Sequence, residues 1–317
     1  MIILDGGLGR QLAAVGAPFR QPEWSALALM EAPQYVRDVH DSFIAAGADV
    51  ITTNSYAIVP FHIGQDRFDE LAPQLLTLSG TLAQAAAEAA DRQVKVAASI
   101  PPMFGSYEPD KFDPQTGQQM MQLFQRHLAP SADIFLAETL GSVIEAKIFL
   151  ESFVDCAADL WLSVTLEDVK PVPGAPRLRS GEPLSALLDV IASKRLDGLL
   201  FNCSQPEVMH DAVTCVSEFR ARQPSRPAGM GLQIGVYANA FPLMNDDYEH
   251  ANSTLHQIRH DITPQNYAKY AVQWAAAGAD IIGGCCGISP EHIEILAAAL
   301  KNNQAAQLSS STFARQA

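Results

Sequence analysis

The stretch ADIIGGCCGIS, residues 279–289, places two adjacent cysteines where an apolar run breaks into glycines. Neighbouring side chains on an extended strand point to opposite faces, so Cys285 and Cys286 cannot serve one site while the chain stays extended. The three flanking glycines allow the backbone to turn there. The stretch therefore indicates a buried strand whose end opens into a loop that carries two thiols.

Seven further apolar runs of this kind precede it, separated by longer amphipathic stretches. They are IILDGG (2–7), ADVITTN (48–54), VKVAASI (94–100), DIFLAET (133–139), LWLSVTL (160–166), GLLFNCS (198–204) and LQIGVYAN (232–239). Near-continuous apolar strands alternating with helices are typical of a parallel sheet covered on both faces. Eight such units in a chain of this length predict an α/β fold, a single-domain (β/α)8 TIM barrel formed by residues 1–300. A doubly wound open sheet is the alternative, but no G-x-G-x-x-G follows the first run.

Two long segments without periodicity interrupt the pattern, residues 101–117 and 239–262. They follow the third and seventh predicted strands, so we expect both on the barrel face that carries active sites. The stretches 32–49 and 263–280 each read as a helix with proline in its first turn and a glycine stop. The polar, aperiodic tail 301–317 is predicted to be disordered.

Composition excludes several classes of function. The formal net charge of −14 argues against a nucleic-acid or anionic-membrane partner. No segment reaches the roughly 18–20 apolar residues that cross a bilayer, and the N-terminus lacks the features of a signal peptide. Five cysteines are too few for a secreted disulfide framework. We therefore expect a cytoplasmic protein with free or metal-bound thiols.

Three of the cysteines stand at the ends of two predicted strands, and strand ends lie close together on one face of a barrel. Cys203 closes the sixth run, while Cys285 and Cys286 close the eighth. Three thiolates converging on one barrel face predict a tetrahedral zinc site, one Zn²⁺ per chain, with its fourth position open. The alternative is that buried cysteines act as small hydrophobic residues. We prefer that interpretation for Cys156 and Cys215, which stand alone in amphipathic stretches.

The GGCCG motif, the Asn-Cys that ends the sixth run and the N-terminal Asp-Gly-Gly together resemble the homocysteine S-methyltransferase family. The resemblance spans essentially residues 1–300, with the motifs in the family's order. It implies a (β/α)8 barrel whose zinc ligands are Cys203, Cys285 and Cys286. It also implies methyl transfer to the thiol of homocysteine, giving methionine. Zinc suits this chemistry, because a metal favours the thiolate, which is the nucleophile.

Other strand ends provide candidates for binding the amino-acid part of homocysteine. Asp5, Gly6 and Gly7 close the first run, where backbone amides can approach a substrate carboxylate; a plain strand-to-helix turn is the alternative. Glu138 follows four apolar residues, and a carboxylate there requires a partner, either a substrate ammonium or an internal Lys or Arg. The resemblance assigns Glu138 to the homocysteine amine and aligns Thr53 with a family threonine near the substrate.

The family also suggests a methyl-donor side. A tryptophan often stands beside the donor in the family, and Trp24 matches it; an aromatic face suits a methylated cation, although core packing is the alternative. Asn239, in GVYANAF, is the second donor-side candidate and matches the asparagine of the family's Tyr-Pro-Asn-x-Gly. The stretch departs from that motif elsewhere, with Ala238 for the proline and Phe241 for the glycine. A chain of 317 residues leaves no room for folate and cobalamin modules, so we expect a small diffusible donor. S-methylmethionine is preferred, before S-adenosylmethionine and betaine.

Three other functions compete with this interpretation. One is a non-catalytic or redox barrel protein with a vicinal Cys285–Cys286 disulfide. Another is a metal-free barrel enzyme such as a lyase, which calls for a lysine or paired acids at strand ends. The third is a methyltransferase that acts on a different thiol. The partners expected under the main interpretation are small-molecule substrates.

Overall fold

The computed structural model of the protein describes residues 1–222, 231–243 and 257–314, and for 303–314 it describes the course of the backbone only. Within these residues eight parallel strands form one sheet in the order β1-β8-β7-β6-β5-β4-β3-β2. The strands are β1 (Ile2–Ile3), β2 (Val50–Thr52), β3 (Lys95–Ile100), β4 (Ile134–Leu140), β5 (Asp159–Val164), β6 (Gly198–Asn202), β7 (Gln233–Tyr237) and β8 (Ile281–Ile282). Six of them lie inside a run predicted from the sequence, while β4 and β5 each extend one residue beyond theirs, to Leu140 and to Asp159.

The sheet closes into a barrel between β1 and β2, which stand at the two ends of the strand order. Leu4 forms a parallel bridge with Val50. The Asp5 amide donates to the Val50 carbonyl at 3.0 Å, and the Asp49 amide donates to the Ile3 carbonyl at 2.7 Å. Closure removes both exposed edges of the sheet. The predicted (β/α)8 barrel is therefore confirmed, and the open doubly wound sheet is excluded.

Helices follow the strands and cover the outside of the barrel. They are α1 (Leu8–Ala14), α2 (Ala26–Glu31), α3 (Pro33–Ala45), α4 (Pro60–Ile63), α5 (Gln65–Ala89), α6 (Pro114–Leu128), α7 (Val143–Ser152), α8 (Leu184–Ile191), α9 (Pro206–Arg222), α10 (Pro264–Ala277) and α11 (Pro290–Ala314). As predicted, α3 and α10 begin at a proline, and α10 ends at Gly278 in the left-handed conformation. No helix in the described part of the chain is long and apolar enough to cross a membrane.

Some of the sequence expectations fall partly outside the described residues. The backbone of α11 continues to Ala314, but residues 315–317 and the side chains from 303 onward are not described, so the tail predicted for 301–317 stays a prediction. Of the second long loop, residues 244–256 lie outside the description. The first, 101–117, contains a short 3₁₀ turn at Pro109–Lys111 and the start of α6.

Side chains from the strands fill the barrel interior. Alternate strand residues point inward and form a buried cluster of Leu4, Val50, Ala97, Ile134, Leu136, Trp161, Leu200, Tyr237 and Ile281. The other face of each strand packs against the helices in a second, larger core. Because the interior is packed with side chains, a ligand can enter only where the strands end.

Four aspartates repeat around the N-terminal end of the barrel. Each stands directly before an even-numbered strand and accepts a hydrogen bond from a backbone amide of the preceding odd-numbered strand. The pairs are Asp49 with Ile3 (2.9 Å), Asp133 with Val96 (2.8 Å), Asp197 with Leu160 (2.9 Å) and Asp280 with Ile234 (3.0 Å). These bonds join the strands in pairs at the end opposite to the one where the cysteines lie.

Candidate active site

A cavity opens at the C-terminal end of the barrel, with an empty volume of about 920 Å³ that includes its solvent-open mouth. Every site residue predicted from the sequence lines this cavity except Asn239. The ends of parallel strands meet on one barrel face, which explains how residues distant in the chain come together there.

The sulfur atoms of Cys203, Cys285 and Cys286 all lie within 4.8 Å of one another on the cavity wall. The Cys285 thiol donates to the Cys203 sulfur at 3.0 Å. All five cysteines are free. Cys215 lies on α9 and Cys156 lies between α7 and β5, so neither belongs to the cluster.

The backbone turns that bring the three sulfurs together occur at two strand ends. Cys203 adopts a φ of 53°, and Gly287 adopts a φ of 86°. The loop after β8 is held to the end of β7 because the Cys285 amide donates to Ala238 (2.9 Å) and the Ala240 amide donates to Cys286 (2.8 Å). The chain therefore leaves the extended conformation after Ile282, and both adjacent thiols face one point.

Hydrogen bonds distribute charge unevenly over the cluster. Bonds from the Cys285 and Cys286 thiols, with one from the Tyr107 hydroxyl, hold the pKa of Cys203 well below its ordinary value. Hydrogen bonding to Cys203 raises the pKa of Cys285 and that of Cys286. Three converging sulfurs with one side open to a cavity fit a tetrahedral metal ion with a free position.

Glu138 lies near the C-terminal end of β4, lines the cavity and is only 8% exposed. Its carboxylate accepts hydrogen bonds from the Ser99 hydroxyl and, at 3.2 Å, from the Tyr237 hydroxyl. Burial raises the pKa of the Glu138 carboxyl to about 7. No lysine or arginine of the described residues forms a salt bridge with it, so the internal cation considered as its partner is not found there. A positively charged ligand would stabilise the ionised form.

Asp5 lies close by and is also buried. Its carboxylate accepts from the Thr52 amide at 2.7 Å and the Thr52 hydroxyl at 3.1 Å, and burial raises its pKa to about 7. Two of the three amides expected to meet a substrate carboxylate are used within the barrel, because Asp5 donates to Val50 and Gly7 donates to Ile288. Among the described residues, the Gly6 amide is the one of the three without a partner.

Thr53 borders the cavity, but its hydroxyl is engaged. It pairs with the Ser55 hydroxyl at 2.7 Å and accepts from the Ser99 amide at 3.0 Å. Ser99 in turn donates to Glu138. Thr53 therefore supports the residue that holds Glu138, and its neighbour Thr52 is the threonine that contacts Asp5.

The two residues predicted for the donor side occupy different places. Trp24 is half-buried on the cavity wall, with its ring centroid 4.9 Å from that of Phe19. Asn239 is buried behind the wall, where its side chain bonds to Cys203 and accepts from the Phe241 amide at 3.2 Å. Phe241 itself lines the cavity. The Asn239 side chain thus contacts Cys203 and the Phe241 backbone and does not line the cavity, and its place on the donor side stays a prediction.

Sequence reasoning missed several residues of the site. Tyr107, with a φ of 66°, donates its hydroxyl to the Cys203 sulfur at 3.0 Å. The Arg179 guanidinium lies 5.0 Å from the centre of the Tyr107 ring and pairs with Asp168 at 2.7 Å. The placement of Tyr107 in the long loop 101–117 was the available signal for it.

Comparisons with known proteins agree with this geometry. The model of a family described as homocysteine S-methyltransferase matches residues 2–300. The chain is 29% identical to a homocysteine S-methyltransferase of Escherichia coli over 94% of both chains. It is 26% identical to homocysteine S-methyltransferase 4 of Zea mays, over 94% of this chain and 89% of the relative. The crystal structure of the metallated form of the E. coli homocysteine methyltransferase MmuM superposes with a TM-score of 0.74, at 26% identity, and covers 94% of this chain and 96% of the other.

Proposed function

The chain belongs to the homocysteine S-methyltransferase family, and from this premise we propose that it transfers a methyl group from a small sulfonium donor to the homocysteine thiol at a zinc ion held by Cys203, Cys285 and Cys286. The product is methionine. The observation that carries the proposal is the group of three sulfurs within 4.8 Å of one another on the wall of the cavity. Bound there, zinc would favour the thiolate form of the substrate sulfur.

The cavity offers a partner for each end of homocysteine. Glu138 is a buried carboxylate that lacks a cationic partner among the described residues, and it would pair with the substrate ammonium. The Gly6 amide is available to a substrate carboxylate. Holding both ends of homocysteine orients its sulfur towards the methyl donor. Orientation of this kind lowers a reaction barrier by up to roughly 7–11 kcal/mol.

The donor side calls for recognition of a cation. A methyl sulfonium is activated by its own charge and leaves as a neutral thioether, so the transfer needs no acid catalyst. The half-buried Trp24 ring lines the cavity, and an aromatic face attracts a methylated cation by about 0.5–2 kcal/mol. S-methylmethionine is the preferred donor, with S-adenosylmethionine and betaine as alternatives.

Methionine formation from homocysteine tests the function directly. Zinc-loaded protein is supplied separately with S-methylmethionine, S-adenosylmethionine and betaine. We expect S-methylmethionine to give the highest kcat/KM, by about tenfold or more, since a mismatched donor loses contacts with the site. A higher rate with either alternative would correct the donor, and no methionine from any of the three would refute the proposed reaction.

Replacing Trp24 tests the donor side. Trp24→Ala should raise the donor KM by about three- to thirtyfold, as loss of a cation–π contact implies, and leave homocysteine affinity and zinc content nearly unchanged. Trp24→Phe keeps an aromatic face and serves as the matched control. Equal losses for both substrates would place Trp24 in the packing of the fold and refute its donor-side role.

A further inference from the structure

Thr139, which directly follows Glu138, has a backbone conformation that its residue type disfavours. Its φ is 63°, and a β-branched residue rarely adopts the left-handed region without support from its surroundings. The pairing of β4 with β5 shifts register between Ala137 and Leu140, across this point. The strand therefore bulges at Thr139, and the direction of the Glu138 side chain depends on that bulge.

Asn202, at the end of β6, provides the support. Its amide oxygen accepts from the Thr139 amide at 2.9 Å, and its amide nitrogen donates to the Thr139 hydroxyl at 2.8 Å. The Ser163 hydroxyl of β5 donates to the same amide oxygen at 2.8 Å. Asn202 is fully buried, so these bonds have no competition from water.

The same asparagine immediately precedes Cys203, which also has a left-handed φ. One buried side chain thus connects the bulge that carries Glu138 to the strand end that carries a sulfur of the cluster. β4 and β6 are not neighbours in the sheet, since β5 lies between them. Asn202 therefore ties together two parts of the cavity that would meet the two ends of one substrate.

We propose that Asn202 is a positioning residue that fixes the separation between Glu138 and the sulfur cluster, and with it the preference for homocysteine over shorter amino-acid thiols. The inference rests on the proposed function, in which Glu138 binds the ammonium and the cluster binds the sulfur through zinc. Homocysteine has one methylene more than cysteine, so a site of fixed length distinguishes the two. Loosening the bulge would let the site fit both.

A double-mutant cycle between Asn202 and Thr139 tests the proposal. Binding of homocysteine and of cysteine to zinc-loaded protein is measured by calorimetry for the parent, Asn202→Ala, Thr139→Gly and the double variant. Asn202→Ala should weaken homocysteine binding about tenfold and cysteine binding less than threefold, as expected for lost buried hydrogen bonds. In the Thr139→Gly background, Asn202→Ala should weaken homocysteine binding at most about threefold, because glycine adopts a positive φ without support.

Ser204→Ala is the matched control. Ser204 stands on the other side of Cys203, is equally buried and bonds to the Leu166 amide at 2.7 Å, with no bond to Thr139. It should lower thermal stability and leave the homocysteine-to-cysteine preference unchanged. If Asn202→Ala binds no zinc, Asn202→Asp, which keeps the acceptor for the Thr139 amide, replaces it in the cycle.

Three results would overturn the proposal. The first is that changing Asn202 weakens homocysteine binding equally in the parent and in the Thr139→Gly background. The second is that it weakens the binding of homocysteine and of cysteine equally, and the third is that Ser204→Ala changes the preference as much as Asn202→Ala does. Glu138→Gln separates this failure from that of the proposed function. If Glu138→Gln leaves homocysteine binding unchanged, the assignment of the amine site is wrong; if it weakens binding while the cycle shows no coupling, Asn202 alone is wrongly assigned.

Discussion

Cys203, Cys285 and Cys286 differ from the other two cysteines in their surroundings. The three are held together by hydrogen bonds between their sulfur atoms, and Tyr107 donates a further bond to Cys203. Three sulfurs this close together can bind a metal ion once they have released their protons. Under the proposed function, replacing any one of them removes one of the three protein ligands of the zinc ion.

We therefore expect about one tightly bound zinc per chain, which is lost in Cys203→Ala, Cys285→Ala and Cys286→Ala. Cys156→Ala and Cys215→Ala are the controls and should keep full zinc, because both residues lie away from the cluster. Metal content after dialysis, measured by mass spectrometry, checks this. Full zinc in two of the first three variants would refute the site.

Burial of the Glu138 carboxyl in the cavity lowers the stability of the fold at neutral pH and above. Its pKa is about 7 in the folded chain, against an ordinary value of 4.5, because burial disfavours the charged form. Between these values the folded state holds a proton that the unfolded state has released. The contribution of Glu138 to stability is thus largest below pH 4.5 and falls as the pH rises to about 7.

Glu138→Gln should accordingly raise stability above pH 7, by on the order of 1–3 kcal/mol, because a neutral amide carries no charge to desolvate. Below about pH 4.5 the variant and the parent should differ little. Chemical unfolding of both metal-free proteins from pH 4.5 to 8 gives the difference at each pH. A difference that does not grow with pH would show that the carboxylate is stabilised in the folded chain.

The loop after β8 packs directly on the turn after β1. A Cβ added at Gly7 would lie 2.5 Å from the Cys285 carbonyl oxygen and 3.1 Å from the Cys286 Cα. Both are backbone atoms and cannot move aside independently of the loop. The glycine at position 7 therefore permits the close approach that brings the cysteine loop against the first strand.

Gly7→Ala should displace the cysteine loop, lower stability by about 1–3 kcal/mol and weaken zinc binding. Gly231→Ala is the control, because a Cβ at that position would meet nothing within 4 Å. Zinc affinity by competition with a chelator and thermal unfolding measure the two effects. Parent-like zinc affinity in Gly7→Ala would show that the loop position does not depend on this contact.

The four aspartates at the N-terminal end of the barrel serve its stability. Each provides a carboxylate acceptor for the backbone amide of a neighbouring strand, at the end of the barrel opposite to the cavity. Sites on the N-terminal face of such barrels contribute to stability, whereas the C-terminal face carries the chemistry. Asp133 shows this most simply, since its carboxylate accepts from the Val96 amide at 2.8 Å.

Asp133→Ala should lower the free energy of unfolding by about 1–2 kcal/mol, because it leaves the Val96 amide without its acceptor. Zinc content and homocysteine affinity should match those of the parent. Asp133→Asn keeps an acceptor oxygen and should recover most of the stability. A loss of homocysteine affinity in Asp133→Ala would mean that the two ends of the barrel are coupled.

The sequence by itself determined the strands, the barrel and the meeting of the predicted residues on one cavity. The regular alternation of apolar runs with amphipathic stretches defines the strands. Parallel strands in a barrel all end on one face, so the positions of Glu138 and the three cysteines late in their runs place them on that face. The alternating aspartates were also visible, as an acid at the start of several runs, although their role was not.

Only the tertiary structure decided which polar groups face the ligand and which support the site. Asn239 proved to lie behind the wall, Thr53 proved to be engaged, and two of the three amides at 5–7 proved to be used in the barrel. The contacts of Tyr107 with Cys203 and of Asn202 with Thr139 join residues 96 and 63 positions apart. They depend on left-handed backbone conformations at non-glycine residues. Residue type does not favour that conformation, so it exists only where the packed fold stabilises it.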